Sequence, residues 1–178
     1  MPNPSAAPLL WFTGLSGAGK TTIAKAALAE LRDRGIPAEL LDGDEIRAVL
    51  SPDLGFSRAD RDLQVQRLGY ISSLLTRNGV TTLVSAISPY SDSREAALAM
   101  NERPRQIFVR ASLDTVAARD TKGLYAKALR GEIKGLTGVD DPYEEPNTPH
   151  LVIDTDTLGV NESVDAVLAL VENETRHA

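Results

Sequence analysis

The stretch Gly14-Leu15-Ser16-Gly17-Ala18-Gly19-Lys20-Thr21 constrains this chain more than any other. It has the form G-x-x-x-x-G-K-[ST], a phosphate loop. Its glycines let backbone N–H groups turn inward around an anion with no Cβ in the way. The helix that follows points its positive dipole end at the same place. Lys20 supplies a mobile cation for β- and γ-phosphates, and the Thr21 hydroxyl is a ligand for Mg²⁺. The four fixed positions arise by accident in roughly one chain of this size per hundred. The context narrows that further. Leu9 to Thr13 reads as a buried strand just before the loop, and Ile23, Ala24, Ala27, Leu28 and Leu31 recur at helical spacing just after it. Residues 14–22, including Thr22, are therefore expected to contact ATP.

The rest of the chain repeats the strand-then-helix rhythm. Strands are expected at Ala38–Leu41, Val80–Ile87, Gln106–Val109 and Leu151–Ile153. Helices are expected from Thr21 to Arg34, from the Asp42-Gly43-Asp44 turn to Leu50, and at Arg58–Asn78, Ser93–Asn101, Leu113–Arg119 and Val160–Glu172. Such alternation predicts an α/β fold with five parallel strands and helices on both faces. The chain, residues 1–178, suits one domain. The stretch from Asp120 to Pro149 breaks the rhythm with four Gly, three Pro and many charges. It reads as a mobile lid over about 120–149.

Composition excludes several function classes. Without cysteine there are no disulfides and no thiol catalysis. A formal net charge of −6 argues against general nucleic-acid binding. No apolar run is long enough for a membrane span, and Met1 to Pro8 does not read as a secretory signal, so a cytoplasmic address is the default.

Asp42-Gly43-Asp44 lies at the carboxyl end of the second expected strand, the edge where open α/β sheets bind ligands. One carboxylate could organise Mg²⁺ while the other accepts a proton from an acceptor hydroxyl. The bland alternative is that Asp44 caps the next helix. Arg47, Arg58, Arg61 and Arg67 follow closely. Arg47 and Arg61 are read as forks for an anion, and Arg58 as a surface residue. Phe56 could be core or could stack on a base.

The residues named so far, with Leu54-Gly55-Phe56-Ser57, Ile87-Ser88-Pro89-Tyr90, Arg119-Asp120-x-Lys122-Gly123-Leu124-Tyr125, Gly131-Glu132-Ile133-Lys134 and Thr137-Gly138-Val139-Asp140-Asp141-Pro142-Tyr143-Glu144, resemble adenylylsulfate kinase in the right order from Leu9 to Asp154. The Ile-Ser-Pro-Tyr and Lys-Gly-Leu-Tyr blocks carry most of the resemblance. It implies transfer of the γ-phosphate of ATP to the 3′-hydroxyl of adenosine 5′-phosphosulfate. It implies Lys20, Asp42, Asp44 and Ser88 as catalytic residues. Asp44 would take the proton, Asp42 would help organise Mg²⁺ with Thr21, and Ser88 is the position phosphorylated in some members. Direct in-line transfer is the expected route here. Arg119 would lie on the ATP side. Arg47, Phe56, Arg61, Gln64, Ile87, Ser88, Lys122 and Leu136 would surround the acceptor. A homodimer is implied, without a readable interface, and a sulfurylase is expected as a separate protein.

The resemblance breaks at a few positions. Leu63-Gln64-Val65-Gln66-Arg67 stands where Glu-Asn-Ile-Arg-Arg is usual, Ser93-Arg94 where Asp-Arg is usual, and Leu136 where Phe is usual. These departures motivate two alternatives: a related kinase with another nucleotide-like acceptor, or a non-catalytic nucleotide-binding partner of a sulfate-activating complex.

Overall fold

The computed structural model describes residues 6–120 and 122–175. Its strands are β1 (Leu9–Thr13), β2 (Ala38–Asp42), β3 (Thr81–Ser85), β4 (Pro104–Arg110) and β5 (Leu151–Asp154). They form one sheet in the order β2-β3-β1-β4-β5, with every neighbouring pair parallel. The helices are α1 (Lys20–Asp33), α2 (Gly43–Leu50), α3 (Arg58–Thr76), α4 (Ser91–Leu98), α5 (Leu113–Arg119), α6 (Leu124–Leu129) and α7 (Val160–Thr175). Among the described residues no helix is long and apolar enough to cross a membrane.

β1 is central, and all five of its residues are buried. Its side chains alternate between the two faces of the sheet, as the pleat requires. Leu10 and Phe12 join Ile23, Ala27 and Leu31 of α1 and Val167 and Val171 of α7 in one core. Leu9 and Trp11 join Val65 and Leu68 of α3 and Ala97 of α4 in the other. A strand buried on both faces reads as a continuous apolar run, which is why Leu-Leu-Trp-Phe could be recognised from sequence.

The differences from expectation are local. The expected strand Val80–Ile87 stops at Ser85, because Ser88 takes a left-handed φ of 42° and Pro89 follows. α4 starts and ends earlier than expected, and β4 starts two residues earlier, on Pro104. Proline is tolerated at a strand's first residue. The segment from 120 to 149 contains α6, whose six residues are too few for a periodicity to register. The far end of that segment is bonded to the body. The Tyr143 hydroxyl lies 2.9 Å from Thr13 Oγ1, and the Glu144 amide donates to the Pro89 carbonyl at 2.8 Å.

At Gly69, α3 packs tightly against Ala97 of α4. A Cβ there would lie 2.8 Å from the Ala97 Cβ and 2.9 Å from its Cα. Gly69→Ala gains about 1 kcal/mol of helix propensity, but overpacking a rigid contact costs roughly 1–3 kcal/mol. With the obstacle partly backbone, overpacking wins. Urea denaturation of Gly69→Ala is expected to show net destabilisation; equal or higher stability would mean the two helices can separate freely.

Candidate active site

The phosphate loop leaves β1 and enters α1 over residues 14–20. Gly14 is required by contact, since a Cβ there would sit 2.2 Å from the Val109 carbonyl oxygen. Gly17 and Gly19 hold φ of 79° and 105°, which turns the loop amides inward. Lys20 is buried, and its ammonium donates to the Gly14 and Leu15 carbonyls at 2.8 Å each. Burial first and the nearby Lys122 charge second lower its pKa to about 8, against the pull of Asp44 and Asp42. Leu15 points away from the loop's anion side and packs under Gly138.

The end of β2 supplies the acids. Asp42, not Asp44, is the N-cap of α2: its Oδ1 accepts from the amides of Asp44 at 3.0 Å and Glu45 at 3.4 Å. A side chain one residue before the helix can reach its free amides, whereas Asp44 lies inside the first turn. Asp42 Oδ2 accepts from the Thr21 hydroxyl at 2.7 Å. This places two hard oxygen donors side by side next to the phosphate loop. Among the described residues there is no cluster of three acidic or histidine side chains. Mg²⁺ suits such a site, because it is held by one or two protein oxygens and completes its shell with water and substrate phosphate. Asp44 is left exposed, and Lys122 donates to its Oδ2.

Past Asp44 the wall turns cationic and aromatic. Phe56 is 69% exposed, which rules out a core role. The Arg47 and Arg61 guanidiniums lie 5.0 and 5.7 Å from its ring centroid. Arg61 is anchored by bonds to the Phe56 and Gly135 carbonyls and the Thr137 hydroxyl. Gln64 donates to the Gly43 carbonyl at 3.3 Å, while its Oε1 is buried without a hydrogen-bond partner. Ser88 stands on the wall but is only 2% exposed. Its hydroxyl accepts from the Trp11 indole at 3.0 Å and lies 3.2 Å from Thr13 Oγ1. These bonds fix Ser88, expected as a catalytic residue, against β1.

One cavity of about 600 Å³ joins these parts. Residues 16–22, Asp42, Asp44, Arg47, Phe56, Arg61, Gln64, Ile87, Ser88, Arg119 and Lys122 all line it. Leu136, expected beside the acceptor, does not: it packs into the core with Ala18 and Tyr125. Of the positions that depart from the usual pattern, Gln64 and Val65 reach the cavity, and of these two only Gln64 is polar. Gln66 and Leu63 face solvent, and Arg67 is spent on Asp53 at 2.8 Å and on the Leu50 carbonyl. Sequence reasoning missed Ser85, Thr155, Leu158, Gly159, Val160 and Ser163, which also line the cavity. Applying the strand-edge rule to β5 as well as β2 would have flagged the turn after Asp154. Arg119 ties that turn to the loop, donating to the Thr155 and Gly17 carbonyls at 2.7 and 3.3 Å.

The family profile for adenylylsulphate kinase matches residues 6–154. The chain belongs to the adenylylsulphate kinase family. It is 50% identical over 172 residues to the adenylyl-sulfate kinase of Chloroflexus aurantiacus, covering 97% of this chain and 92% of that one. It is 48% identical over 164 residues to a probable bifunctional SAT/APS kinase of Sorangium cellulosum, covering 92% of this kinase and 28% of that longer protein. The Mycobacterium tuberculosis APS kinase CysC, solved in complex with AMPPNP and APS, superposes with a TM-score of 0.91 at 40% identity, covering 95% of this chain and 99% of that one.

Lys20, as the expected phosphate-binding cation, is expected to make nucleotide affinity depend on pH. Bound phosphate supplies opposite charge and raises the lysine pKa above its free value of about 8. Below that value Lys20 is charged in both states, and its contribution is complete. Above it the free protein must take up a proton to bind, so affinity falls by up to about tenfold per pH unit. Calorimetry of ADP binding in buffers of different ionisation heat, above pH 8 where the nucleotide itself is fully ionised, is expected to show proton uptake rising toward one. No uptake at any of these pH values would refute the assignment.

Proposed function

We propose that this chain is an ATP-dependent kinase that phosphorylates the 3′-hydroxyl of adenosine 5′-phosphosulfate, and that the cavity residues divide into an ATP half and an acceptor half. The observation that carries the division is the single cavity running from the phosphate loop, past Asp44, to the Arg47–Phe56–Arg61 cluster. The loop amides and Lys20 hold the triphosphate. The turn after β5, with Thr155 and Gly159, takes the ATP base. Thr21 and Asp42 hold Mg²⁺, which when bound neutralises charge on the phosphate oxygens. On the other side Phe56 stacks on the acceptor's adenine, Arg47 and Arg61 bind its phosphosulfate, and the orphaned Gln64 Oε1 accepts from one of its N–H or O–H groups.

The acceptor's 3′-oxygen forms a bond to the γ-phosphorus while the bond from that phosphorus to the β,γ-bridging oxygen breaks, leaving ADP. Asp44 takes the hydroxyl proton. It can do so once substrate anions draw Lys122 away from it. Lys20 stays on the transferred group throughout, and positioning with charge neutralisation carries most of the rate. No covalent step through Ser88 is needed. We read the whole chain as one kinase domain, with the segment from 120 to 149 closing over both substrates to exclude water. Tyr125, whose hydroxyl donates to the Ser16 carbonyl, anchors that segment near its start as Tyr143 and Glu144 do near its end. A homodimer, a separate sulfurylase as acceptor source and a cytoplasmic location complete the reading. The relative that joins SAT and APS kinase in one chain supports the sulfurylase link.

Incubation with ATP, Mg²⁺ and adenylylsulfate should yield a product heavier by one phosphoryl group, identified by mass spectrometry; faster turnover with another nucleotide would assign a different acceptor. Lys20→Ala should lower kcat by on the order of 10²–10³. Phe56→Ala should raise KM for adenylylsulfate and leave KM for ATP unchanged. Steady-state kinetics with each substrate varied in turn would expose the reverse pattern, which would exchange the two halves.

A further inference from the structure

The parallel register of β2 and β3 sets Asp42 directly beside Ser85. Ser85 is 4% exposed and faces the cavity with Thr21 and Asp42. Its hydroxyl oxygen lies 2.9 Å from Thr21 Oγ1, which itself lies 2.7 Å from Asp42 Oδ2. The close fit of Gly43 holds this corner together: a Cβ there would lie 3.0 Å from the Ser85 carbonyl oxygen.

Proton bookkeeping settles the direction of both bonds. A hydroxyl has one proton and two lone pairs, and a carboxylate oxygen only accepts. The Thr21 proton therefore goes to Asp42, and Ser85 donates to Thr21. One Thr21 lone pair is taken by Ser85, and one remains. We propose that Ser85 is a positioning residue for the divalent cation, fixing the Thr21 hydroxyl so that its remaining lone pair faces the nucleotide phosphates. This rests on the reading of Thr21 and Asp42 as the cation's protein oxygens. Groups that orient a metal's ligands influence affinity without touching the metal.

The test titrates Mn²⁺ into the protein with ADP, following free Mn²⁺ by electron paramagnetic resonance, and measures ADP binding separately in EDTA by calorimetry. Ser85→Ala is expected to weaken Mn²⁺ binding roughly three- to tenfold, the range one hydrogen bond supplies. ADP binding in EDTA should stay as in the wild type, and Ser85→Thr, which keeps the hydroxyl, should restore the metal affinity. Unchanged Mn²⁺ affinity in Ser85→Ala would overturn the proposal. So would an equal loss of ADP affinity in EDTA, because Ser85 would then act on the loop and not on the cation. Thr21→Ala separates the two readings: if it too leaves Mn²⁺ binding unchanged, the cation assignment itself fails.

Discussion

The register of three parallel strands is the constraint on which this site depends. Phe12 of β1 pairs with Ser85 of β3, and Ser85 pairs with Asp42 of β2. The three strands therefore end at nearly one level. The phosphate loop leaves β1 there, and the acidic turn leaves β2 there. A shift of one residue in either pairing would turn Asp42 to the other face of the sheet and away from Thr21. The apolar pattern prevents such a shift, because it would also drive Leu41 out of the core it shares with Trp11 and Val84.

Electrostatics then divide the cavity. The chain is acidic overall, with a net charge of −6, yet Lys20, Arg47, Arg61, Arg119 and Lys122 all face one cavity. Such a concentration of cations is costly when no anion is bound. The protein contains it by local pairing: Lys20 sits on its own loop's carbonyls, Lys122 on Asp44, and Arg61 on the Phe56 and Gly135 carbonyls. The pKa of Lys20 is lowered first by burial and then by the Lys122 charge, which together outweigh the two aspartates. Arg47 is lowered as well, first by burial and then by the Arg61 charge.

The departures from the usual family pattern look different once placed. They suggested an altered acceptor side, but Leu136 is part of the core and Gln66 faces solvent. Gln64 is the polar departure that lines the cavity. It bonds Gly43 through its amide nitrogen and leaves its oxygen buried without a partner. A buried acceptor without a partner is expensive in the free protein and is satisfied by a ligand that donates to it.

By itself the sequence determined the sheet class, the number of strands and the phosphate loop, because each is written in local patterns: an apolar run, a helical period, and glycines at fixed spacing. The acidic turn and Arg47 were legible for the same reason, lying within a few residues of a readable strand end. Only the tertiary structure decided the rest. That Asp42 caps α2 and that Phe56 is exposed between two arginines turn on where β2 ends and how the next segment folds. That Ser88 is bonded to Trp11, and that Ser85 and the turn after β5 join the cavity, depend on contacts between segments distant along the chain. The pair Trp11 and Ser88 is separated by 77 positions, and Thr21 and Ser85 by 64. No local pattern marks such pairs, since they are selected by how the strands line up and not by the residues beside them.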